Sequence, residues 1–123
     1  MQPPPNFEIK DHYACFRPTG TSRLGQVVDT VSDLIAFCGE KNISRILINV
    51  TGLKGYSAPS LFDRYSMVEK FASVAKAGMK VVLVADQTMI DPNKFGVTVA
   101  RNRGLNGNVF CTEAEAVAWL LAP

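Results

Sequence analysis

Histidine occurs once, at His12, and cysteine three times, at Cys15, Cys38 and Cys111. No Cys-x-x-Cys pair exists and no cysteine or carboxylate stands at metal-ligand spacing from His12, so the makings of a structural zinc site are missing. An odd number of widely separated cysteines is no disulfide framework and suits a reducing compartment. Long apolar runs are missing too: the longest aliphatic stretch, Val81–Ala85, falls far short of the about 20 residues a membrane helix requires. Charge of one sign is scarce. Thirteen Lys/Arg stand against eleven Asp/Glu, a net +2, and no basic run concentrates it, which argues against nucleic acid as a partner. Met1–Asn6 carries three prolines and lacks the apolar core of a secretory signal. The glycine patterns of dinucleotide and phosphate-loop sites are absent, since Gly104-Leu105-Asn106-Gly107 follows a predicted helix rather than a strand. These absences leave a cytoplasmic domain with no membrane insertion, no metal and no cofactor motif.

What is present reads as one α/β domain. The 123 residues, 47% of them hydrophobic, suffice for a single core, expected over residues 7–121 after a disordered proline-rich lead, residues 1–6. Phe7–Lys10 and Tyr13–Pro18 read as two short strands joined by a tight turn at Asp11-His12. Thr19–Ser22 reads as a turn whose hydroxyls cap a helix. The helix itself shows in the spacing of Leu24, Val27, Val28, Val31, Leu34, Ile35 and Cys38. Ile46–Val50 and Val81–Ala85 are compact runs suited to strands buried on both faces. Between them a helix is predicted from Ser60 to Ala77, with Leu61, Tyr65, Val68, Ala72 and Ala75 as its apolar stripe and Gly78 as its stop. Asp91-Pro92 is expected to open a third helix that runs through Arg103 and stops at Gly104. Asn108–Cys111 is a last strand. Thr112-Glu113-Ala114-Glu115 resembles a capping box opening a helix that buries Val117, Trp119 and Leu120. Strands alternating with helices imply a mainly parallel, single-layer sheet of about five strands with about four helices. The leading strand, reached by a short hairpin, pairs antiparallel.

Chemistry-bearing sets are few. His12, the one base available to a serine or cysteine nucleophile, falls in a turn, and strand cysteines are usually small core side chains. No catalytic residue is assigned. Ligands of open α/β sheets bind beyond the carboxyl ends of the parallel strands, which here are Thr51–Ser60, Asp86–Pro92 and Thr112. The first of these loops leads into a helix with Tyr56, Ser57, Ser60 and Arg64, where free N–H groups and the dipole favour an anion or a phosphoryl group. Ordinary capping by Ser57 or Ser60 explains the serines equally. Lys94, Arg101 and Arg103 form a secondary basic face, either an anion site or simply solvated. Phe62, Tyr65, Phe71, Met67 and Met89 either line an apolar groove or fill the core.

The string Ile46-Leu47-Ile48-Asn49-Val50-Thr51-Gly52-Leu53, followed by a serine-containing turn into a helix, resembles the third strand and following loop of STAS domains. The segments Ile90–Gly104, Val109–Thr112 and Ala116–Leu120 are similar to the closing half of the bacterial SpoIIAA-like (STAS/SEC14-type) branch. The likeness covers Phe7 to Leu121. It implies a non-enzymatic regulatory module of anti-sigma-factor-antagonist type, with a kinase or anti-sigma-like protein partner and a serine phosphoswitch at the second helix. Laid on this chain, the switch motif falls on Ser57-Ala58-Pro59-Ser60 and puts Ala58 at the phosphoacceptor position, so phosphorylation would have to use Ser57 or Ser60. The SEC14-like relatives imply the alternative, a carrier of a small anionic or lipid ligand. The first strand, a short edge with few charges, makes a homodimer plausible.

Overall fold

Ile46, Leu47 and Ile48 are each fully buried, as a run of branched residues must be when both faces of its strand are covered. They form the centre of β4 (Arg45–Asn49), which pairs in parallel with β2 (Ala14–Phe16) on one side and with β6 (Lys80–Val84) on the other. Beyond β6 lies β7 (Asn106–Phe110), also parallel, and β1 (Phe7–Ile9) closes the opposite edge in antiparallel pairing with β2. The sheet therefore runs β1-β2-β4-β6-β7, with the mainly parallel pairing and antiparallel leading strand that the sequence pattern implied. The computed structural model describes residues 2–123. Met1, the first residue of the expected lead, lies outside the described residues, and at the other end of that lead the Asn6 carbonyl accepts the Arg17 N–H at 3.1 Å.

Alternation along the strands sorts the core into two. Phe16, Ile46, Ile48 and Val81 face α1 (Leu24–Glu40), α2 (Leu61–Val74) and α3 (Phe95–Asn102). Cys15, Leu47, Val82 and Val84 face α4 (Glu113–Leu121), which buries Ala116 and Leu120 against them. Each crossover from β2 to β4 to β6 to β7 steps the same way across the sheet, so crossovers of one hand put their helices on one face. Only α4, which follows the last strand, covers the other.

Several local expectations are corrected. Gly20 and Thr21 form a short strand, β3, parallel to β5 (Leu53–Lys54), instead of a capping turn. The N–H groups of Gly20 and Ser22 go to Gly52 and Lys54 carbonyls, and α1 opens instead with the Arg23 N–H donating to Gln26 Oε1 at 2.8 Å. α2 stops at Val74, short of the predicted Ala77, because Lys76–Met79 closes its own turn around Gly78 at φ +85°. α3 starts at Phe95, three residues beyond Pro92; the Asp91 carboxylate still serves it, accepting the Phe95 N–H at 2.8 Å. Gly104, at φ +81°, does end that helix. In α4, Thr112 accepts the Glu115 N–H as expected, while Val117 and Trp119 are only half-buried.

The largest departure concerns α2. Its predicted apolar stripe is not buried: Phe71 is the one fully buried residue of the helix, and Leu61 is 57% exposed. α2 packs mainly against α1 and α3 and reaches the sheet-face core through Phe71. Polar ties hold it there, Lys70 to Asp29 of α1, and Glu69 and Tyr65 to Arg103 at the end of α3.

The β3–β5 contact needs a bare backbone at Gly52. A Cβ there would meet the Pro18 carbonyl oxygen at 2.9 Å and Thr19 Cγ2 at 3.0 Å. Gly52→Ala should lower stability by about 1–3 kcal/mol, in the range of overpacked sites, read as a drop in the urea midpoint at unchanged slope. An unchanged midpoint would show that this approach is not tight.

Candidate ligand-binding cleft

Because α2 rides on its neighbours, an apolar cleft of about 130 Å³ remains between it and the sheet. Val27 and Val31 of α1, Met67, Val68 and Phe71 of α2, and Val97 and Ala100 of α3 wall it; Val81, Leu83 and Val109 form its floor. Met89 and Ile90, in and after a single 3-10 turn (Gln87–Met89), close one side. Polar side chains on the lining are few. Tyr56, Arg64 and Asp91 supply them, and Tyr56 comes from the Thr51–Ser60 loop at the carboxyl end of β4.

Arg64 Nη1 donates to the Met89 carbonyl at 3.0 Å, which links α2 to the 3-10 turn. Lys94, the left-handed residue that precedes α3, donates to Asn108 Oδ1 at 2.9 Å, and its Nζ lies 4.3 Å from the centre of the Phe110 ring. Burial, aided by Asp86, raises the Tyr56 phenol above its ordinary value, so it stays a protonated donor at neutral pH. Of the candidates in the loop and the basic face, Tyr56 and Arg64 thus share the cleft.

The others do not join them. Ser60 caps α2, accepting the Asp63 N–H at 3.0 Å while its own N–H donates to Asp63; capping accounts for it without a ligand. Ser57 is exposed. Arg101 faces a shallow depression beside Trp119, and Arg103 is engaged with Tyr65 and Glu69, so the expected basic face is divided among separate partners. Of the groove candidates, Phe71, Met67 and Met89 line the cleft, whereas Phe62 is 75% exposed. Val97, Asn108 and Asp91 were missed as cleft residues. Only the strand order and the height of α2 bring them together, and no local spacing signals either.

A second polar assembly lies across the strand ends on the α4 side. Arg17 grips Glu113 at 2.8 and 2.9 Å and Glu8 at 2.8 Å. Asn49 donates to Glu113 Oε2 at 2.7 Å and accepts from the Thr51 N–H and hydroxyl. Every member is partnered within the protein, so the assembly is a fastening. The thiols divide similarly: Cys15 and Cys38 are buried, which pushes the Cys38 thiol up to about 12, while Cys111 lies just past β7 and is exposed, not in a strand as expected.

No family model matches the chain, and no curated protein matches it. Among solved structures it is similar to an uncharacterized DUF3478-family protein with a SpoIIAA-like fold from Shewanella loihica PV-4. That pair shares 19% identity over 93% of this chain and 89% of the other, at a TM-score of 0.48. Among the described residues, no helix is long and apolar enough to cross a membrane.

The Arg17 hydrogen bonds are the main reason that the Glu113 carboxyl drops from the ordinary 4.5 to about 2, against an opposing push from burial. A carboxyl depressed by folding stabilises fully above its unfolded value and loses that contribution as pH falls towards the folded one. Thermal stability should therefore decline between about pH 4.5 and pH 2 in the wild-type protein. Glu113→Gln should be less stable at pH 7 and show a shallower decline over that window. Parallel pH profiles of the two proteins would show the Glu113 pair to be inert.

Proposed function

We propose that this chain is a binding module that holds a small apolar ligand beneath α2. One observation carries the reading: a cleft of about 130 Å³ with an almost wholly aliphatic and aromatic lining runs between α2 and the face of the sheet and reaches Val50 and Ala85, just past the carboxyl ends of β4 and β6, near which open α/β sheets take ligands. Dry apolar cavities of roughly 150 Å³ accept a benzene-sized guest, so the cleft fits a group of about six carbons and not a whole two-chain lipid. Benzene should raise the melting temperature, because a ligand specific for the folded state stabilises it by mass action. Val97→Phe, which places a ring inside the cleft, should abolish that rise. A wild-type melting temperature indifferent to benzene, or an equal rise in the variant, would remove the proposal.

A second reading has its own support. Leu61 and Phe62, at the first turn of α2, are 57% and 75% exposed, and adjacent exposed apolar side chains of this size mark contact surfaces for other proteins. On this reading the Thr51–Tyr65 segment meets a protein partner of kinase or anti-sigma type, with phosphate on Ser57 or Ser60 as the switch. Cross-linking in the native cell should join a partner to this segment. No cross-link from it, and no phosphate at either serine, would count against the switch.

A further inference from the structure

The cleft is uniform in its greasy lining but not in its charge. Arg64 lies on its lining with one carboxylate, Asp91, whereas the Lys94 ammonium turns to Asn108 and Phe110, which share the α4 face with Val82 and Val84. Asp91 is occupied at the start of α3 by the Phe95 N–H. Arg64 pairs with no carboxylate among the described residues and meets a single carbonyl. The guanidinium carries five N–H donors in a planar fork, so most of its capacity is unspent beside an apolar space. Tyr56, half-buried on the same wall, has no hydrogen-bond partner for its hydroxyl among the described residues.

Building on the ligand reading above, we infer that the ligand is a monocarboxylate, its apolar body of about six carbons under α2 and its carboxylate held by Arg64 with Tyr56. A fork of guanidinium donors fits a carboxylate in two-point contact. A guanidinium selects against a neutral or cationic head, which would leave its charge uncompensated beside an apolar space. The volume limits the body, so benzoate and hexanoate are the proper probes: one tests a ring, the other a short acyl chain.

Titration calorimetry of the full chain with benzoate, hexanoate and benzyl alcohol separates the alternatives. At least one of the acids should bind about tenfold or more tighter than benzyl alcohol, the scale of one charge-assisted hydrogen bond. Arg64→Gln should erase that preference while leaving benzyl alcohol binding within about twofold, and Arg64→Lys should restore part of it. Should Arg64→Gln unfold, Tyr56→Phe serves, with a smaller loss confined to the acids. Equal binding of acid and alcohol by the wild-type protein would overturn the carboxylate inference and leave the apolar cleft standing. Binding of none of the three would overturn both.

Discussion

Space on one face of the sheet is the constraint from which the rest follows. Five strands at about 4.8 Å spacing offer roughly 24 Å of width, whereas three helices each about 10 Å across need roughly 30 Å. The strand order sends all three crossovers to the same side, so one helix rides higher than the other two. α1 and α3 take the outer places and the middle helix is carried on their shoulders. The cleft is the volume that this arrangement leaves over. It costs packing contacts that a seated helix would have made, and α2 retains little buried surface of its own, with Phe71 as its anchor and ion pairs as its moorings.

The same crowding explains what the sequence disclosed. β4 and β6 were plain in Ile46–Val50 and Val81–Ala85 because full burial on both faces demands unbroken branched residues, a local and unambiguous pattern. Gly104 was plain as a helix stop, since a positive φ is a property of one residue. α2 was legible as a helix, yet the depth to which it sinks was not. Periodicity reports which side chains share a face and is silent on how far that face stands from the strands. Leu61 was misplaced for this reason. The β3–β5 ladder was invisible because two-residue strands carry no period, and their pairing depends on Gly52 yielding to the Pro18 carbonyl.

The cleft was half legible. The rule that ligands gather at the carboxyl ends of parallel strands picked out the loop with Tyr56 and the helix start with Arg64. Lys94 entered through its supposed neighbours Arg101 and Arg103, which the structure sends elsewhere. The Lys94 ammonium goes to Asn108 and Phe110 on the other face. Ser57 and Ser60 illustrate the opposite risk. Hydroxyls at a helix start suggest a phosphate, but Ser60 is fully employed in closing the first turn of α2.

Asn49 occupies an unusual station at the rim of the sheet. One end of its amide reaches Glu113 on the α4 side and the other end cradles Thr51, the first residue of the stretch that runs on to Tyr56. Since the sheet is a single layer, this lone carboxamide makes the two sides of the molecule mechanically continuous. Anything that pulled on the last helix would be transmitted, through one planar group, to the threshold of the chamber on the far side.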